Sequence, residues 1–193
     1  MSRPQPPADF APPPFADPRR IGALVGLVGA VVFVFANAPD LTGTVATIAR
    51  VVVILLVGAA LVLLFGFSRW LGRFVVPAPA ALVVYGACVV GELLLIRSGS
   101  VALDDSGHGG ARPALIAAVV GLHFLPFAWA FRERMFYWLG SALMALGLAG
   151  LGAELAEIET TASVAAVLAG LVMAGLIVLY AAGLFAVPRR PVS

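Results

Sequence analysis

Six long apolar runs alternate with short polar punctuation along the chain, near residues 21–37, 45–66, 78–96, 113–131, 135–153 and 162–186. Each has the length of about 17 to 25 residues that an α-helix needs to cross a bilayer. None shows the strict two-residue alternation of a half-buried strand. The punctuation is turn chemistry: "NAPDLTG" after the first run, "SRWLGRF" after the second with Pro77 and Pro79 opening the third, then "RSGSVALDDSGHGGARP", "FRER" and "ELAEIETTA". Loops this short force neighbouring helices to run antiparallel. The pattern predicts an all-α fold, a six-helix transmembrane bundle with no soluble domain.

Composition sharpens that picture. Of 193 residues, 62% are hydrophobic and 11% charged, and the mean hydropathy is +1.06, outside the range of soluble domains. Residues 1–20 hold seven prolines and little that could build a core, which predicts a mobile Pro-rich tail, with a PxxP ligand as the sharper alternative. Residues 188–193 form a second short tail. The "ANA" at 36–38 imitates a signal-peptidase site, but Pro39 directly after it is expected to block cleavage, so the first run is read as a retained helix.

All 12 basic residues are Arg, the mark of a GC-rich coding bias such as actinobacteria show. Their placement carries the orientation. Arg3, Arg19, Arg20, Arg69, Arg73, Arg132, Arg134, Arg189 and Arg190 fall on one side of the bundle, against Arg50, Arg97 and Arg112 on the other. By the positive-inside rule both termini are cytoplasmic in a cell (inner or plasma) membrane. Trp70, Tyr137 and Trp138 beside the Arg clusters fit an interfacial belt. The net charge of +2, without a basic stripe, gives nucleic-acid binding no support. "LFGFSRWLGRF", "FAWAFRERMF" and "LFAVPRR" close the even-numbered runs alike; interface chemistry used three times explains this as well as a repeated hairpin does.

Small residues at four-residue spacing line one face of a helix and let membrane helices approach closely. Gly22 and Gly26 in the first run, and Ala162, Ala166, Gly170 and Ala174 in the sixth, are therefore candidate packing faces. A homo-oligomer or a membrane-protein partner is one use for them; lipid is the other neighbour.

Ionisable groups within the apolar runs default to a functional hypothesis with a named partner. There are three: Arg50, Glu92 and His123. At 1.5 Å per residue, Arg50 lies about 8 Å and Glu92 about 6 Å below the outer ends of their runs. An Arg50–Glu92 clamp is thus geometrically open, beside separate snorkelling to the interface or a polar site facing outward. His123 lies about 15 Å deep, and its depth differs from that of Glu92 by about 9 Å, too far for contact unless a water, kink or tilt closes the gap. Pro126 cannot donate to the Leu122 carbonyl, so a kink is expected there. His123 then serves either as a helix cross-link or as a proton relay or ligand contact.

"VVGLHFLPFAWAF" resembles a stretch found in small, uncharacterised multi-pass membrane proteins of bacteria, where a Gly-Leu-His-Phe-Leu-Pro run falls within a transmembrane helix. The resemblance covers about a dozen residues and implies no activity or cofactor. His123 and Pro126 are matched as motif positions.

No HExxH, G-x-S-x-G, P-loop or dinucleotide fingerprint occurs. Cys88 stands alone, so no disulfide or CxxC site can form within the chain. Asp104, Asp105 and His108 are metal-ligand types in a loop expected to be solvated, and Glu154, Glu157 and Glu159 are read as a solvated acidic face. No cofactor or metal is expected. The sequence points to a non-enzymatic membrane protein of structural or accessory type, with a small-solute or proton-linked transporter using His123, Glu92 and Arg50 as the alternative.

Overall fold

A computed structural model describes residues 13–67, 71 and 78–186. Six helices follow in chain order: α1 (Pro18–Asn37), α2 (Gly43–Leu61, running on as a π-helical turn over Val62–Gly66), α3 (Pro79–Asp105), α4 (Arg112–Phe131), α5 (Met135–Leu155) and α6 (Thr161–Ala181). No strand occurs among the described residues. All six helices are long and apolar enough to cross a membrane, and the chain is a multi-pass membrane protein with an all-α six-helix bundle.

Helix starts and stops have local causes. Asp17 caps α1 by accepting from the Arg19 amide at 3.0 Å, with Pro18 at the first helical position, where a missing N–H costs nothing. Pro79 opens α3 in the same way. At the other end of α1, the Asn37 side chain donates to the Phe33 carbonyl at 2.8 Å. Gly107, at φ 80°, turns the chain after α3.

α6 forms the centre and packs on α1, α2, α4 and α5. Between Ser163 and Tyr180 its sequence is wholly apolar, and Ala166, Ala169, Gly170, Met173, Ala174 and Ile177 are buried. Lipid tails supply no hydrophobic drive between helices, so close backbone approach and dispersion must hold them. That is what the α4/α5 crossing shows. A Cβ on Gly121 would meet the Gly140 carbonyl at 2.7 Å, one on Gly140 would meet the Gly121 carbonyl at 2.8 Å, and one on Gly147 would run into the Ala118 backbone. Gly170 sits equally tightly, with the Ala30 carbonyl 2.7 Å from where its Cβ would stand. Outside this core the surface is apolar, with Val25, Val28, Leu55, Leu93, Leu94 and Trp129 all exposed, as lipid contact requires.

α3 is the peripheral helix. It packs on α4, and Ala81 is its one buried residue.

Several expectations need correction. The third run was expected to end at 96, yet α3 continues to Asp105. The Ser98 hydroxyl bonds back to the Leu94 carbonyl at 2.8 Å, Gly99 packs on Leu115, and Asp104 pairs with Arg112, so the polar "RSGSVALDD" stretch is satisfied as helix. The mobile tail was expected to reach residue 20. Residues 1–12 lie outside the described residues, but Pro14–Ala16 form a 3-10 turn, Phe15 stacks on Phe65 at 5.2 Å, and Asp17 and Arg20 are buried. The sixth helix stops at Ala181, where Gly183 takes φ 86°. The second tail, with Arg189 and Arg190, lies outside the described residues, as do Arg3, Arg69, Trp70, Arg73 and Pro77.

Candidate functional site

The antiparallel pairing of α3 and α4 is set by contacts along their whole shared length. Asp104 pairs with Arg112, Gly99 receives Leu115, and Tyr85 stacks on Phe127 at 5.3 Å. Midway between them the same register brings Glu92 to His123, with Oε2 3.3 Å from Nδ1. The contact is short enough for an ion pair, but it is not aligned for a ring N–H hydrogen bond. The two side chains keep 19% and 13% of their surface, so the pair is mostly enclosed and still reachable.

The expected 9 Å mismatch in depth is therefore wrong. It arose from ending the third helix at 96. Counted from the true end at Asp105, Glu92 lies about 20 Å down and His123, from Arg112, about 17 Å down.

A groove of about 180 Å³ opens beside the pair. α3 contributes Cys88, Gly91, Glu92 and Leu95, and α4 contributes Val119, Leu122, His123 and Pro126. Both sets follow the i, i+3, i+4, i+7 spacing of one helix face. The groove is thus the seam between two helices, and it lies on the side of the bundle instead of along its centre. The imidazole is held by rings, with Phe124 at 4.2 Å and Phe127 edge-on at 5.0 Å. Behind them Phe131 and Phe136 complete an aromatic cluster joining α3, α4 and α5. α4 runs on through Pro126 to Phe131 as helix.

Comparison of the chain with family models, curated proteins and solved structures finds no match. What the site can do must be argued from its own atoms.

Arg50 does not join the pair. It sits on α2, which packs on α1 and α6, and its guanidinium lies over the Phe35 ring, 5.8 Å from the centroid. Its Nε is buried without a hydrogen-bond partner. The Arg50–Glu92 clamp is not formed, because α2 and α3 belong to different flanks of the bundle and Glu92 is taken up by His123.

The packing faces are placed as follows. Ala162, Ala166, Gly170 and Ala174 are all buried in α6. Gly26 meets Ile177, with Cδ1 2.8 Å from its Cβ position, whereas a Cβ on Gly22 would meet nothing within 4 Å, so Gly22 takes no part in close packing.

The carboxylates at the end of the bundle away from the termini serve structure. Asp40 accepts from the Ser163 hydroxyl at 2.6 Å, tying the α1–α2 connection to α6. Glu154 accepts from the Ala162 amide and the Thr161 hydroxyl, both at 3.1 Å, and so caps α6 from the preceding helix. Glu154 is therefore more than solvation, whereas Glu157 and Glu159 are exposed. Asp105 and His108 are exposed too, and His108 faces Ser106 at 3.3 Å.

One polar cluster was missed altogether. At the end carrying the termini, Asp17 bonds the Arg19 side chain at 2.9 and 3.0 Å, with Arg20 Nε 3.9 Å away. Arg19 also donates to the Leu71 carbonyl at 3.4 Å, fastening the α2–α3 connection. Glu133, in the three-residue step between α4 and α5, lies in the field of Arg19 and Asp17; burial raises its carboxyl to about 7, the Arg19 charge opposing the rise and Asp17 adding to it. The available signal was Asp-Pro-Arg-Arg, an N-cap followed by proline at the first helical position.

Proposed function

We propose that the chain is a non-enzymatic inner-membrane protein of accessory type, with both termini cytoplasmic, whose working site is the Glu92–His123 pair. One observation carries this reading: the pair opens sideways from the α3/α4 seam, while the helix at the bundle centre is apolar from Val164 to Leu179. A conduit needs polar groups along a path from one face to the other. Among the described residues the charged groups occur at the two ends, at Arg50 on α2 and in one lateral groove, and they do not line a continuous path. The excess of Arg around the termini supports the orientation.

The alternative, a proton-linked carrier, draws its support from the same pair, since a carboxylate beside an imidazole can exchange a proton. Proton flux into liposomes loaded with a pH-sensitive dye separates the two. An accessory protein leaves the leak rate of protein-free liposomes unchanged. Flux that appears with the protein and disappears with Glu92→Gln would establish the carrier instead.

A further inference from the structure

We propose that Arg50 and the furrow between α1 and α2 hold one anionic phospholipid, its phosphate on the guanidinium and an acyl chain along the two helices. This site lies on another flank of the bundle from the Glu92–His123 pair, and it stands whichever way the chain is oriented in the membrane.

Arg50 is a permanent cation about 10 Å below the start of α2 at Gly43. Among the described residues no carboxylate lies within ion-pair distance of it. Glu92 is taken up by His123, and Asp40, in the α1–α2 connection, by the Ser163 hydroxyl. The Phe35 ring, with its centroid 5.8 Å from the guanidinium, offsets only part of the charge. Nε is buried without a hydrogen-bond partner, while the terminal nitrogens are not enclosed and make no hydrogen bond to the described residues. A cation within the apolar band is retained where something complements it. Side chains of a helix lean toward its N-terminus, and α2 begins at a membrane face, so the guanidinium leans from its depth toward the head groups. The anion it meets there is a lipid phosphate, whose oxygens the planar fork of Arg matches two at a time.

The surroundings favour a lipid over a small soluble anion. α1 and α2 each pack more on α6 than on one another, which leaves a furrow between them on the lipid side. Phe15 stacked on Phe65 keeps the two helices side by side at the far end. The α1 bank of the furrow is Phe35, Val32 and Val28, and the α2 bank is Ile54, Gly58 and Leu61, each set at the spacing of one helix face and every member exposed. The stripe runs from the guanidinium toward the middle of the membrane, the course an acyl chain takes below its phosphate. A soluble phosphate would gain nothing from these apolar walls. The charge at the site is a single cation with no paired carboxylate, which favours a head group of net negative charge over a zwitterionic one.

The test uses the full chain in dodecyl maltoside, read by native mass spectrometry with dioleoylphosphatidylglycerol and dioleoylphosphatidylcholine in equal amounts. The most tightly retained lipid should be one phosphatidylglycerol per chain. Arg50→Gln should weaken its retention about ten- to hundredfold, the worth of a bond to a charged group. Arg50→Lys should weaken it less, because the charge stays and only the fork is lost. Arg97→Gln, exposed on α3 at the same end of the bundle, should leave it unchanged. Gly58→Trp, whose ring enters open space, should weaken it by filling the furrow without touching the charge, and serves as the second variant should Arg50→Gln not fold. Phosphatidylglycerol should also raise the melting temperature of the parent and of Arg97→Gln but not that of Arg50→Gln, as binding to the folded state requires. Glycerophosphoglycerol, the head group without acyl chains, should not displace the lipid. Unchanged retention in Arg50→Gln or Gly58→Trp, an equal loss in Arg97→Gln, equal retention of phosphatidylcholine, or displacement by glycerophosphoglycerol overturns the proposal.

Discussion

Glu92 and His123 touch across the α3/α4 seam because Gly99, seven residues above Glu92, receives Leu115, eight residues above His123. The Asp104–Arg112 and Tyr85–Phe127 contacts keep the same register, and the register makes the pair. A side chain at position 99 would meet Leu115 Cδ2 at 2.7 Å, so the Leu115 side chain would have to turn aside to accept it.

The pair should therefore couple energetically. In a thermodynamic cycle of Glu92→Gln, His123→Gln and the double variant, measured by unfolding in detergent, the changes should be non-additive by about 0.5 to 3 kcal/mol, as for groups in contact. The matching cycle for Arg50→Gln and Glu92→Gln should be additive within about 0.5 kcal/mol. Coupling between Arg50 and Glu92 would contradict the arrangement of the helices.

The α4/α5 crossing should tolerate no added bulk. Gly147→Val places a side chain against the Ala118 backbone and the Ala114 carbonyl, and should cost about 1 to 3 kcal/mol or more, read as a lower melting temperature. Gly22→Ala, on open helix surface, should be stabilising by about 0.5 to 1 kcal/mol through backbone entropy alone.

Asp17 holds two arginines beneath the bundle. Asp17→Ala removes the helix cap, the partner of half-buried Arg19 and the carboxylate beside buried Arg20, and should cost about 3 to 5 kcal/mol, as loss of one member of a buried pair does. Asp17→Asn can still cap but cannot neutralise, and the difference between the two variants measures the cap, expected near 1 kcal/mol.

Stability should also depend on pH through Glu133. Burial raises its folded-state value from 4.5 to about 7, so between those limits the folded protein holds a proton that the unfolded chain has released. Unfolding then releases that proton, and raising the pH favours it. The contribution is fully present below about 4.5 and is lost as pH rises through 7. Denaturation midpoints recorded from pH 4.5 to 8 should fall in the wild type, and Glu133→Gln should flatten that part of the profile.

The helices were readable because lipid makes hydrophobic runs and element boundaries nearly the same thing; the six runs map onto α1 to α6. The site was not, and the cause is one boundary. Arg97 looks like the end of a membrane segment, yet Ser98, Gly99 and Asp104 are each satisfied within α3 or against α4, so the helix continues and carries Glu92 down to the level of His123. The residues Arg50, Glu92 and His123 could be picked out as unusual from composition alone, but which of them meet depends on which helices are neighbours. Short loops establish antiparallel direction and say nothing about adjacency between α2 and α3. The Asp17 cluster was hidden for a different reason: proline-rich sequence reads as disorder, while Asp17 and Arg20 are buried within the electrostatic reach of Tyr180, far along the chain.

The contact between Glu92 and His123 can be measured directly. In bilayers, a His108→Gln chain carrying ¹⁵N-histidine and ¹³C-glutamate leaves His123 as its one labelled imidazole, and Glu92 is the carboxylate beside it. Rotational-echo dephasing between the ring nitrogens and a glutamate side-chain carboxyl carbon should be strong and should vanish in Glu92→Gln. Absence of dephasing in the parent chain would mean that the two residues do not meet, and the lateral site, together with the function proposed for it, would fall.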